Sequence, residues 1–433
     1  MSIAHEAMTE GATHRAIEAV WRIESARLIG GLVRVVRDVA LAEDLAQEAL
    51  VIALERWPET GVPENPGAWL MVAAKNRAID HLRRHQMLER KHQAIEHDES
   101  AGQSFPPNLE TDEDVGDDLL RLVLVACHPV LSTEARVALT LRLIGGLTTA
   151  EIARAFLMPE STIAQRLVRA KRTLAEARVP FEVPRGAELA ARIPSVLEVI
   201  YLIFNEGYAA TRGDEWMRTE LCEDALRIGR ILTSLVPGEA EVHGLVALME
   251  LHASRARARL GPSGEPILLL DQDRARWDRL LVERGLAALA RAESLARPLG
   301  PYTLQAAIAG CHARARTGAE TDWKKIVALY DALVEITRSP VVELNRAVAV
   351  SMAFGPAAAL ELVDALHSEP VLRSYHLLPS VRGDLLMRLG RFREACVQFE
   401  RAALLAQNRR ERDLLLHRAR SCAATNESAI GPS

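Results

Sequence analysis

Residues 148–172 read TTAEIARAFLMPESTIAQRLVRAKR. Thr148 followed three residues later by Glu151 has the form of a capping box, so a helix is predicted to start there. Leu157, Met158 and Pro159 interrupt it, because proline cannot continue a helix interior but suits the first turn of a new one. In the second helix Ile163, Leu167, Ala170 and Leu174 fall on one narrow apolar stripe at 100° per residue. Ser161, Gln165, Val168, Arg169 and Arg172 lie on the opposite face, with Arg166 and Lys171 on its flanks. Residues 160–173 carry four positive charges against Glu160 alone. A short helix, a tight turn and a basic second helix make a helix-turn-helix. Gln165 and Arg169 are of the types that bond adenine and guanine edges, while Ser161, Thr162, Arg166 and Arg172 suit phosphate oxygens. The bland alternative is a solvated face on a plain helical hairpin.

Two helices upstream also carry one polar face each. PGAWLMVAAKNRAIDHLRRH, residues 66–85, places Asn76, Arg77, Asp80, Arg83 and Arg84 within one arc, with Met71, Ala78, Ile79 and Leu82 facing away. A basic face that includes an amide suits a nucleic-acid strand, and Asp80 is spaced to orient Arg84 one turn on. LAEDLAQEALVIALERW, residues 41–57, is expected to end at Pro58. It aligns Asp44, Gln47, Glu48, Val51 and Glu55 opposite Leu45, Ala49, Leu50, Ala53 and Trp57. An acidic stripe of this kind suits docking on a basic protein surface. Taken singly, each would most often be an ordinary charged surface helix.

The 433 residues are 49 % hydrophobic, 26 % charged and only 4 % aromatic, with Ala and Leu dominant, a composition of close-packed helices in two or three domains. The fold class expected is all-α. Of the 53 basic residues 48 are Arg, which reads as coding bias. No stretch approaches the roughly 20 apolar residues of a membrane span, and the N-terminus lacks the marks of a signal peptide. A cytoplasmic protein without membrane association is expected. From Gln93 to Leu120 the chain holds nine acidic residues and no Lys or Arg, with Gly102, Pro106 and Pro107 among them. That composition predicts an extended, self-repelling linker.

In order, then, come an acidic-faced helix, a Pro/Gly loop, a basic helix, an acidic linker and a helix-turn-helix. This series resembles a bacterial extracytoplasmic-function (ECF) RNA polymerase sigma factor of the sigma-70 family, the minimal kind with only the second and fourth sigma regions. The resemblance implies region 2 over 14–92, the acidic linker over 93–118 and region 4 over 119–178. It implies as partners the polymerase core, through its clamp helices and flap, and promoter DNA. Asp44, Gln47 and Glu48 match the clamp contacts. Asn76, Arg77, Arg83 and Arg84 match −10 binding, and the loop from Thr60 to Pro66 matches the one that receives a flipped-out base. Ser161, Thr162, Gln165, Arg166, Arg169 and Arg172 match the −35 helix. Leu157 and Ser161 stand where many members have Gly, and Ala164 where a basic contact is common, so the turn and the −35 preference depart from the usual.

Residues 185–423 are similar to the long tetratricopeptide (TPR)-like extension of one subgroup. Gly318, Gly355 and Gly390 recur near the period of stacked helix pairs, each before an amphipathic helix. Residues 389–402, with Leu389, Gly390, Arg391, Ala395, Phe399 and Ala402, come nearest the TPR pattern, whereas 185–300 show no period. Such regions present surfaces to peptides or proteins, so a regulatory partner or an intramolecular contact is expected there. YLIFNEGY (201–208) concentrates three aromatics and reads as buried packing, and LLLDQDRARWD (268–278) mixes charge with Trp277. The five cysteines lack zinc-site spacing, and no phosphate loop, HExxH or GxSxG stands out. No catalytic residue, metal or cofactor is expected, so the chain does not read as an enzyme. The rival reading is a stand-alone helix-turn-helix regulator whose TPR-like region senses a ligand or peptide; only a sigma factor needs the Asp44/Gln47/Glu48 face.

Overall fold

The structure is a computed structural model, described for residues 2–93, 112–156, 158–210, 216–262 and 265–430. It is 78 % helical. Among the described residues there is no strand, only an isolated bridge between Leu260 and Pro266. The chain divides into two compact units, Met1–Ile200 and Tyr201–Ser433.

The first unit begins with α1 (Ser2–Val36), α2 (Val39–Thr60) and α3 (Pro66–Gln93). Asp38 caps α2, its Oδ1 accepting from the amides of Ala40 at 2.7 Å and Leu41 at 3.0 Å. The helix runs two residues past Pro58, where the sequence reading ended it. One missing donor costs little in a last turn, and the Gly61 amide closes that turn on the Trp57 carbonyl at 2.9 Å. Asn65 caps α3 in turn, with Pro66 at the first helical position. Alanines 42, 46, 49 and 53 form the buried stripe of α2, and the close approach they permit seats Trp57 edge-on against Trp69 at 5.3 Å.

Next come α4 (Asp112–Ala126), α5 (Thr133–Leu143), α6 (Thr149–Ala155) and α7 (Glu160–Glu176). The sequence reading carried the acidic linker to residue 118, but α4 already starts at Asp112. A helix N-terminus favours acidic residues, and Asp118 is anchored, 2 % exposed, between Arg34 and Arg121. The remainder of that linker, 94–111, lies outside the described residues. Helix α8 (Ala187–Tyr208) crosses the division between units. Its first turns belong to unit one: Arg192 donates to the Leu124 carbonyl at 3.0 Å and Ser195 to that of Cys127 at 2.7 Å. The sequence reading placed the start of the extension at 185, short of this division.

The second unit continues with α9 (Thr219–Leu235), α10 (Ala240–Ala253), α11 (Arg279–Leu295), α12 (Pro301–Arg314), α13 (Trp323–Thr337), α14 (Pro340–Phe354), α15 (Pro356–Ala365), α16 (Leu377–Arg388), α17 (Phe392–Leu405) and α18 (Arg409–Ile430). From α13 to α18 each helix packs chiefly on its neighbours in sequence, the pattern of a solenoid, whereas α12 packs chiefly on α10. Gly318, Gly355 and Gly390 separate α12 from α13, α14 from α15 and α16 from α17. Gly355 and Gly390 sit at φ +102° and +75°, which turns the chain sharply between paired helices. Residues 254–278, between α10 and α11, break the series with short 3-10 turns, which is why no period was visible there.

Candidate nucleic-acid interface

The turn that presents α7 is built from local chemistry. Thr148 Oγ1 accepts from the Glu151 amide at 3.2 Å while Glu151 Oε2 accepts from the Thr148 amide at 2.7 Å, the reciprocal box expected from the sequence. Arg22 on α1 adds an ion pair to Glu151 at 3.1 Å. Burial pushes the Glu151 carboxyl up, but the bonds from Thr148 and Arg22 outweigh it and hold the group below the usual carboxylate range. The Met158 amide bonds back to the Ala153 carbonyl at 2.9 Å and tightens the turn. Leu157, noted for its departure from Gly, lies outside the described residues.

Helix α7 then buries Ile163, Leu167, Ala170 and Leu174. Ser161, Gln165, Arg169 and Arg172 face solvent, whereas Thr162 and Arg166 are half-buried. Val168, on the same face, is 62 % exposed, which fits a surface held ready for another molecule. Arg172 is already engaged by Glu176 at 2.7 Å, so phosphate would have to displace that carboxylate. The flanking Lys171 turns inward to Glu43.

On α3 the side chains of Asn76, Arg77, Arg83 and Arg84 are exposed. Arg77 lies 3.7 Å from Glu48 of α2, so one of the basic-face residues touches one of the acidic face. Two details differ from the sequence reading. Ile79 is 43 % exposed rather than turned inward, beside the fully buried Ala78. Asp80 forms no ion pair with Arg84 among the described residues. On α2, Asp44, Glu48 and Val51 are exposed and Gln47 is half-buried.

A model of sigma-70 region 2 matches residues 23–87 and one of sigma-70 region 4 matches residues 121–174. The ECF RNA polymerase sigma factor SigL of Mycobacterium tuberculosis is 32 % identical over 142 residues, covering 33 % of this chain and 76 % of its own. SigK of Mycobacterium ulcerans, another ECF RNA polymerase sigma factor, is 30 % identical over 152 residues, 34 % of this chain and 78 % of its own. The chain belongs to the ECF sigma factors. Within this sigma factor, residues 192–293 match a family of unknown function (DUF6596). An uncharacterized protein of Rhizobium meliloti is 43 % identical over 388 residues, 88 % of this chain and 90 % of its own, so it is similar through the extension as well. No solved structure matches the chain.

Sequence reasoning passed over Glu43, one residue before the acidic face. It is 3 % exposed, and its two oxygens accept from Arg142 Nε at 2.5 Å, Lys171 Nζ at 3.0 Å and Gln47 Nε2 at 2.8 Å. The sigma factor therefore ties α2 of region 2 to α5 and α7 of region 4 through one buried carboxylate. Gly146, at φ +70°, seats the loop before α6 directly over Ser25 of α1. The only available signal was indirect: Glu43 falls on the apolar side of α2 when the helix is drawn as a wheel. Among the described residues no helix is long and apolar enough to cross a membrane, and no group of three or more His, Cys, Asp or Glu could hold a metal ion.

Proposed function

We propose that the chain directs RNA polymerase core to specific promoters, region 4 reading the −35 element and region 2 opening the −10 element. The observation that carries this is α7, the second helix of a capped helix-turn-helix, with Ser161, Gln165 and Arg169 on one solvent face and its apolar stripe buried. Gln165 and Arg169 contact base edges, and Thr162, Arg166 and Arg172 contact phosphates. Asn76, Arg77, Arg83 and Arg84 hold the separated −10 strand, with the loop from Thr60 to Pro66 taking an extruded base and so offsetting a few kcal/mol of unstacking. Asp44, Gln47 and Glu48 dock on the clamp helices of the core.

Distance adds a condition. Elements centred near −35 and −10 lie about 25 base pairs apart, or ~85 Å along B-form DNA. A compact unit of the size of residues 1–200 is only about 40–45 Å across. Region 4 must therefore part from region 2 on the promoter, releasing Glu43 from Arg142 and Lys171. The sequence between α3 and α4 can reach about 60 Å when drawn out. The extension regulates this step or adds contacts to polymerase.

Run-off transcription with purified core, on the promoter region of the chain's own gene and neighbours, tests the reading. The expected result is a specific transcript that is lost on Arg169→Ala or when Asp44, Gln47 and Glu48 are changed together. If neither the full chain nor a chain ending after Ile200 yields a transcript or binds core, the stand-alone regulator takes its place.

A further inference from the structure

Helix α7 carries an apolar row within the face it turns to solvent. Val168 is 62 % exposed. Ala164, one turn before it, is exposed as well, and Arg172, one turn after it, is drawn back to Glu176 at 2.7 Å. At 100° per residue Ala164, Val168 and Arg172 follow one another along one side of the helix, with Ser161, Gln165 and Arg169 in the row beside them. The core has no claim on Val168, because Ile163, Leu167, Ala170 and Leu174 supply the buried stripe of α7. A lone exposed valine is ordinary on a protein surface. Here two apolar side chains stand one turn apart, beside the amide and guanidinium suited to base edges, so that part of the reading face has neither donor nor acceptor.

Among the groups displayed in the major groove, the C5-methyl of thymine is the apolar one. Adenine, guanine and cytosine edges show donors and acceptors that an alanine or valine cannot satisfy, and covering those groups with apolar side chains would leave them unbonded. A methyl packed against the Val168 isopropyl group loses no hydrogen bond and takes apolar surface out of water. Ala164 lies in the first turns of α7 and Val168 at its middle, the part of a recognition helix that approaches base edges. Their separation along the helix axis is about 6 Å, close to two base-pair steps. Gln165, in the adjoining row, is of the type that bonds adenine. An A·T pair therefore offers its adenine edge to Gln165 and its methyl to the apolar row at once.

We infer that Ala164 and Val168 are specificity-determining residues that read thymine C5-methyl groups, and that the −35 element of this sigma factor holds A·T pairs opposite their row. The inference rests on the promoter-reading role proposed above and names base pairs which that role selects. It also accounts for the exposure of Val168, whose isopropyl group loses its water when DNA occupies the helix.

Holoenzyme made from purified core and the full chain, on the promoter found by run-off transcription, tests this by competition binding. Each −35 thymine, on either strand, is replaced in turn by deoxyuridine, which lacks only the C5-methyl. Deoxyuridine at one or two positions should weaken binding of the parent about fourfold each, the worth of one buried methyl group. Val168→Ala should bind the thymine duplex more weakly and lose the deoxyuridine effect at one position. Ala164→Arg should move the preference at one position from thymine toward guanine. Val130→Ala, which trims another exposed valine, between α4 and α5, should behave as the parent does. No specific transcript or complex at all would refute the promoter-reading role and the inference with it. Specific binding that tolerates deoxyuridine at every −35 position, a −35 element without A·T pairs, a deoxyuridine effect undiminished in Val168→Ala, or a base preference unmoved by Ala164→Arg would overturn the inference and leave that role standing.

Discussion

Replacing Glu43 by Gln removes the charge that joins α2 to α5 and α7 while keeping the side chain's size. Its carboxylate is 5 % exposed, and Arg142 and Lys171 are 17 % and 18 % exposed. Removing one partner of a buried ion pair costs about 3–5 kcal/mol, because the other charges stay buried and unpaired. The two cations here keep some access to water, which places the loss near ~3 kcal/mol. That corresponds to a shift of about a hundredfold in the balance between joined and parted regions 2 and 4. For a unit of this size it also lowers the melting temperature by about 6–12 °C. Differential scanning calorimetry reads the stability, and small-angle scattering of the full chain reads the expansion. Glu43 adjoins the proposed clamp face, so Arg142→Met on α5 supplies a second route to the same contact. The double variant should cost at least about 1 kcal/mol less than the sum of the two singles. A Glu43→Gln protein within about 0.5 kcal/mol of the parent and unchanged in radius, or strictly additive singles, would refute the reasoning.

On a duplex carrying the −35 element, Gln165→Ala or Arg169→Ala should each cost about 1–3 kcal/mol and relax preference at one base position, measured by competition binding. Arg83→Ala should weaken single-strand binding evenly across sequences and lower the salt slope by about 1. His312 is pushed from its ordinary 6.5 down to about 4 by burial and by Arg255 and Arg274. Between those values the unfolded chain binds the extra proton, so stability is full above pH 6.5 and falls by up to about 3 kcal/mol as pH drops toward 4. Urea unfolding across that window should show this slope, and His312→Phe should flatten it. Gly146→Ala forces a side chain to φ +70° with its Cβ 2.9 Å from Ser25 Oγ. It should destabilise the first unit by about 1–3 kcal/mol in urea; a change below 0.5 kcal/mol would mean that the loop moves freely over α1.

The helices that carry the chemistry were legible because their cues are local. The box of Thr148 and Glu151, the break at Pro159 and the stripe Ile163, Leu167, Ala170, Leu174 each involve neighbours within a turn or two, where spacing alone sets which side chains meet. The acidic and basic faces of α2 and α3 followed from the same periodicity, as did the turns at Gly355 and Gly390. Where α4 begins was misjudged, because composition reports charge density and not whether Asp118 finds Arg34 on another helix.

What the tertiary structure decided are contacts between residues far apart in the chain. Glu43 meets Arg142 and Lys171 across separations of 99 and 128 residues, and no helical period registers such a meeting. Arg255, Arg259 and Arg274 look like three of 48 arginines until folding stacks them against the rings of Tyr208 and Trp277. A helical wheel tells which face is polar, but not whether the charge opposite is water, a carboxylate or another arginine. That difference is electrostatic and depends on distance through space, so the folded chain settles it.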